Sequence, residues 1–165
     1  MPALAKPNID LEFIEPFINA TQSAFLTQAS TPVAAGAPYL REVSEGIKIE
    51  IAGVISLCNR DLTGSISLCF EREVFLKIYE NMVGEKHSKI TPEIEDAAGE
   101  LLNIIFGQAK TILNDQKGYH LERAIPTILV GDNLRLRYSS NSPVVLLPFE
   151  SSAGNFHLAV VIERS

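Results

Sequence analysis

The chain has 165 residues, of which 46% are hydrophobic and 21% charged, and carries a formal net charge of −6 at pH 7. That length fits one domain over residues 1–165 with its own core, and no apolar run approaches the roughly eighteen residues of a membrane span, so such a span is excluded. The acidic balance, with no local Lys/Arg cluster, argues against nucleic acid and leaves a protein or a small molecule as the partner.

The N-terminal MPALAKPNIDLEF has one lysine, two prolines and no continuous apolar stretch, so neither a secretory nor a transit signal is indicated and the cytoplasm is expected. Residues 9–29 place Phe13, Phe17, Ala20, Ala24 and Phe25 at helical spacing, which predicts a first helix that Pro16 starts or kinks. A loop with Pro32, Gly36 and Pro38 follows. The alternating IKIEIAGVISLC, with Ile47, Ile49 and Ile51 on one side, predicts a strand, NRDLTG a turn and GSISLCF its antiparallel partner. In that hairpin Cys58 faces about Ser65 rather than Cys69, so no disulfide is expected and both cysteines are expected to be buried thiols.

Residues Glu71 to Val83 carry Val74, Phe75, Ile78, Tyr79 and Met82 at helical offsets and predict a second helix closed by Gly84. A third helix opens at Thr91, with Pro92 in its first position and Glu93, Glu95 and Asp96 near its positive end, and runs to about Asn114. After Gly118 the pattern changes to four strands, ERAIPTILVG, LRLRYSS, PVVLLPF and FHLAVVIE, separated by turn residues at 131–133, 140–142 and 151–155 and expected to form a meander. The expected order is α-β-β-α-α-β-β-β-β, an α+β fold with long helices packed on an antiparallel sheet.

Phosphate-cradle and hydrolase-elbow motifs (G-x-x-x-x-G-K-[ST], G-x-G-x-x-G, G-x-S-x-G) are absent, and His87, His120 and His157 have no metal-ligand spacing. The informative segment is DAAGELLNIIFGQAK, residues 96–110. At 100° per residue, Glu100, Asn103, Gly107, Lys110 and Asn114 all lie within about 40° of Asp96. Ile94, Leu101, Ile105 and Ile112 lie opposite, with Ala98 and Ala109 alongside. Solvated polar filler accounts for much of such a face, but not for Asn103 and Gly107, two poor helix formers one turn apart in mid-helix. The missing side chain at Gly107 lets another surface approach Asn103.

Asp96, Glu100 and Asn103, followed by Pro126, reproduce D/S-x3-E-x2-N-x22-P, and the chain thereby resembles the CheC/CheX/FliY family of chemotaxis phosphatases. FIEPFINAT, PYLRE, LTGSISLCF and VVLLPFESSAGNFHLAV are similar to the CheX branch and extend the resemblance over nearly the whole chain. CheC and FliY members carry the Glu/Asn pair twice. Here Glu100-x2-Asn103 is the only E-x2-N, since Glu15 and Asn19 stand one residue too far apart, and this favours CheX.

The resemblance implies a phosphatase that hydrolyses the aspartyl phosphate of a CheY-type response regulator. It has no cofactor of its own, because Mg2+ arrives with the phosphorylated regulator. Asn103 would orient the attacking water, and Glu100 would pair with the regulator's active-site lysine; Asp96, Gly107 and Lys110 would be partner contacts, Asp96 equally serving the helix N-terminus. Pro126 is expected to be structural, at the edge of a strand. The resemblance also implies a homodimer joined through the sheets. The alternative is a non-catalytic protein-binding module of the flagellar-switch type.

Overall fold

The computed structural model describes residues 9–41, 47–138 and 142–164. The chain runs α1 (Leu11–Ala29), β1 (Val33–Ala35), β2 (Tyr39–Leu40), β3 (Ile51–Cys58), β4 (Leu62–Phe70), α2 (Arg72–Val83), α3 (Pro92–Lys117), β5 (Thr127–Val130), β6 (Val145–Ser151) and β7 (Gly154–Arg164). All strand pairs are antiparallel, in the order β1-β6-β7-β4-β3-β5 with β2 also on β6, so the α+β class read from the sequence holds.

The Asp10 carboxylate accepts the Phe13 N–H at 3.2 Å and starts α1, so Pro16 lies inside the helix rather than at its beginning. Helix α2 lacks a side-chain cap of its own. The buried Glu50 supplies one from β3's approach, accepting the Arg72 N–H at 3.1 Å while the Arg72 guanidinium pairs with its other oxygen at 3.1 Å. Gly84 and Gly118 close α2 and α3 in the left-handed conformation, φ 78° and 74°, as expected of glycines just past helix ends. Helix α3 continues to Lys117, beyond the expected Asn114, and the Asn114 side chain serves the next segment instead. Its Oδ1 accepts the Leu121 N–H at 2.9 Å and its Nδ2 donates to the Leu121 carbonyl at 3.1 Å.

The three helices cover one face of the sheet. Ile51 and Ile55 of β3, Ile66, Leu68 and Phe70 of β4, and Phe156, Leu158 and Val160 of β7 point into the core beneath them. Phe25 stacks on Phe156 with ring centroids 4.6 Å apart, and Phe70 joins Phe75 of α2 at 4.9 Å, so aromatic contacts tie α1 and α2 to the middle strands.

The other face departs from the sequence expectation where period-2 alternation reports a one-sided apolar surface and not a ladder partner. The expected strand at LRLRYSS is irregular over 134–138, with Ser139 and Ser140 outside the described residues, as is Asn141 of the turn that follows. Leu134 and Leu136 lie across the sheet face against Ile49, Ala52 and Cys69. The Leu134 N–H donates to the Ile49 carbonyl at 2.9 Å, and Arg41 donates to the Leu136 carbonyl at 3.3 Å. The segment is a strap, so no four-strand meander forms. Only β6 and β7 pair as neighbours in the last half, while β5 joins β3 at the opposite edge.

Strand β3 begins at Ile51 rather than Ile47, because Ile49 belongs to the strap's cluster and Ile51 to the helix-side core. The loop expected after α1 holds the two short strands β1 and β2 on β6. In the β3–β4 hairpin the turn is shorter than expected: the Asn59 Oδ1 accepts the N–H groups of Asp61 and Leu62 at 2.7 and 2.8 Å. Cys58 therefore faces Thr63 rather than Ser65. Both cysteines are free, as expected. Cys69 is buried under the strap, whereas Cys58, at the strand end beyond the strap's reach, is exposed rather than buried.

Two consequences are measurable. A methyl group on Gly64 would collide with the Val161 backbone carbonyl across the β4–β7 ladder, which can only separate the strands. Gly64→Ala is expected to lower stability by about 1–3 kcal/mol or more, seen as a lower urea midpoint. The half-buried His157 lies opposite Cys69, and burial, with the Arg41 charge second, depresses its pKa from 6.5 to about 4. Between those values the unfolded chain holds the proton and the folded chain does not, so stability falls as pH drops through that window. His157→Gln is expected to remove about 1–3 kcal/mol of that acid sensitivity in denaturation curves recorded from pH 7 to pH 4.

Candidate functional site

Helix α3 is held on three sides. It packs against α1 and rests on β3 and β5, burying Ile94, Ala98, Leu101, Leu102, Ile105, Phe106, Ala109 and Leu113. Two glycines set how closely it sits. A Cβ placed on Gly53 of β3 would come within 3.1 Å of the Leu102 side chain. One placed on Gly99 of α3 would come within 3.1 Å of Ile128 and 4.0 Å of Pro126. The helix is thus pressed onto the sheet edge, and its remaining side faces solvent.

On that side the structure brings the expected residues together. Asp96, Glu100 and Asn103 are exposed in successive turns; Gly107 and Lys110 are half-buried further along. Asn114, on the same stripe, is taken by Leu121 and is a structural residue. Among the described residues, no hydrogen bond or ion pair engages Asp96, Glu100 or Asn103. A Cβ at Gly107 would meet no atom within 4 Å, so its missing side chain leaves open space beside the stripe. The Thr91 side chain makes no cap, and Glu93 and Glu95 occupy the first turn, placing Asp96 one turn inside.

Chemically the stripe offers a carboxylate and a carboxamide three residues apart, with about 5–6 Å between their Cβ atoms. Asp96 and Glu100 are like charges at i,i+4, an arrangement that costs an isolated helix a few tenths of a kcal/mol. Among the described residues no ion pair neutralises them, so the face is open to a cationic group from outside. Pro126 lies just before β5, an edge strand, where a residue without an N–H loses no ladder bond. Gly99 belongs to this arrangement although the spacing of the motif does not mark it. Its only sequence signal is a glycine in mid-helix, the same signal as at Gly107. Among the described residues no group of three or more His, Cys, Asp or Glu is placed to hold a metal ion, and no helix is long and apolar enough to cross a membrane.

Comparison with known proteins identifies the family and the fold. The family model described as chemotaxis phosphatase CheX matches residues 51–150. No curated protein matches the sequence. Among solved structures, the chain is similar to chemotaxis protein CheX from Vibrio vulnificus, with 28% identity over 92% of this chain and 99% of that one and a TM-score of 0.85. It is similar to a chemotactic CheC-like protein from Shewanella oneidensis, with 32% identity over 94% of this chain and 100% of that one and a TM-score of 0.83. A chain of the CheX–CheY–BeF3–Mg2+ complex from Borrelia burgdorferi shares the fold, with a TM-score of 0.76 at 20% identity over 92% of this chain and 97% of that one. With the family model matching residues 51–150 and the fold shared nearly end to end with a CheX and a CheC-like protein, the chain belongs to the CheX family of chemotaxis phosphatases.

Proposed function

We propose that this protein hydrolyses the aspartyl phosphate of a CheY-type response regulator, with Asn103 and Glu100 as the residues that enter the regulator's site. The observation that carries the reading is the pair itself: an exposed carboxamide and carboxylate, with no side-chain partner among the described residues, on a helix packed on its other sides. A solved complex from Borrelia burgdorferi holds CheX with CheY, BeF3 and Mg2+, which supports both the partner class and the entry of Mg2+ with that partner.

Phosphoryl transfer needs positioning and charge stabilisation more than covalent help from the protein. The Asn103 carboxamide accepts one hydrogen bond from a water and donates another, without bringing negative charge to an anionic phosphoryl group. It thus holds the water in line with the bond to be broken. The water oxygen attacks phosphorus, and the bond between phosphorus and the aspartyl oxygen breaks. Inorganic phosphate leaves carrying the water's protons, and the aspartate carboxylate is restored. Glu100 pairs with the regulator's lysine and fixes the register of the two proteins; Asp96 and Lys110 flank that contact, and Gly107 leaves room for it. The rigidity of α3 serves this task, since a displacement near an ångström spoils the alignment of a water.

The same reading places the protein in the cytoplasm beside its regulator. It also carries a homodimer, for which β5 offers an open strand edge with Leu129 and Val130 exposed. Sedimentation should show a species of twice the 18.1 kDa chain mass; a single species at that mass overturns the dimer.

The function is tested by phosphorylating a regulator with a small phosphodonor in Mg2+ and following phosphate loss. Wild type should shorten the phosphate's lifetime. Asn103→Ala should lose about a hundredfold or more in kcat, the scale of removing one positioned transition-state group. Glu100→Ala should weaken kcat/KM by about tenfold or more through the lost charge pair. Both residues are exposed poor contributors to the helix, so neither variant should unfold at a lower temperature than wild type. Regulator binding with no change of lifetime would make the helix face a docking surface only.

A further inference from the structure

Between α3 and β5 the chain is pinned at both ends. Leu121 is held by the Asn114 side chain, and Pro126 packs at Gly99, so residues 121–126 run back along α3 antiparallel to it. Along the helix, Asn114 and Gly99 are about 22 Å apart, at 1.5 Å per residue. Five extended residues span about 17 Å, so this return is nearly straight and its last residues lie beside the turn that holds Gly99 and Asn103. Ala124 packs on the core from this segment, while Glu122, Arg123 and Ile125 turn outward.

Ile125 is 85% exposed, the most exposed of the large hydrophobic side chains among the described residues. A single apolar side chain at a surface is ordinary. Ile125 differs in where it stands and how its backbone is held. Pro126 restricts the residue before it to extended conformations, and Pro126 itself lies beside Gly99 of α3, where a Cβ on that glycine would come within 4.0 Å of it. The result is a stiff apolar knob on the flank of the polar stripe.

Resting on the function proposed above, we propose that Ile125 is a contact residue for the phosphorylated regulator and sets its affinity. It seats in an apolar recess on the regulator's surface beside the pocket that receives Glu100 and Asn103. The polar pair then aligns the chemistry, and the isoleucine supplies area that leaves water on docking. It touches no reacting atom and acts on binding alone.

The test is steady-state dephosphorylation of the same phosphorylated regulator by wild type, Ile125→Ser and Ile125→Leu. Ile125→Ser should raise KM by about tenfold with kcat within about twofold, as removal of a side chain buried only in the complex requires. Ile125→Leu should restore KM to within about twofold of wild type, because the apolar contact survives the change of shape. Both variants should unfold at the wild-type temperature. An unchanged KM in Ile125→Ser, with Asn103→Ala inactive, overturns this inference and leaves the phosphatase reading standing. Equal loss of kcat in the serine and leucine variants also overturns it, since that marks a disturbed helix site. Failure of wild type to shorten the phosphate's lifetime overturns the phosphatase reading and this inference with it.

Discussion

The close seating of α3 on the sheet edge is the constraint on which the rest depends. Where Gly53 faces Leu102 and Gly99 faces Ile128, there is no room for a methyl group without displacement. Small residues at a helix–sheet contact let the two backbones approach, and the larger neighbours then fill the gap at interior density. With α1 on its other flank, α3 has no freedom to roll or slide. A side chain projecting from its free side inherits that rigidity, so the position of Asn103 is decided by glycines and aliphatic residues that never reach a partner.

The free side of α3 violates several local preferences together. It has like charges at Asp96 and Glu100, an asparagine in mid-helix, and a glycine at 107 where nothing crowds a side chain. Each costs a few tenths to about 1 kcal/mol of helix stability. The buried faces of a helix this long readily offset such losses, since each large aliphatic side chain removed from water contributes about 1.5–3 kcal/mol. Gly99 and Gly107 separate the two meanings of a helical glycine. The first is required by a neighbour; the second faces open space, with no atom of the described residues within 4 Å of where a Cβ would stand. Local inconsistency without a structural reason is what a functional surface leaves in a sequence.

The outer face of the sheet shows a different economy. Small residues of β3 and β4 lie under a strap whose leucines cover Ala52 and Cys69. The strap is tied by Arg41 and by the 2.9 Å hydrogen bond between Tyr138 and Ser67, polar contacts that a strand would have made through its backbone. Buried Glu50 joins the two faces. Its carboxylate starts α2 on the helix side, while the residues before it, Ile47 and Ile49, turn to the strap. One charged side chain therefore marks where the chain changes sides.

The sequence by itself determined what depends on local chemistry. The three helices, the glycine stop of α2, the β3–β4 hairpin and the amphipathic face carrying Asp96, Glu100 and Asn103 follow from spacings of three or four residues, turn residues and alternation. Tertiary structure alone decided what depends on distant partners. Alternation in LRLRY is compatible with a ladder or a strap, and only the position of Ile49 and Arg41 selects the strap. The short strands β1 and β2 exist because β6 offers an edge, and three- or two-residue segments have no periodicity to detect. Pro126 and Ile125 are brought alongside the turn of α3 that holds Gly99 by the return of the chain, held in place by Asn114. A pattern along the chain can state which side chains share a face, but only packing fixes what stands next to that face.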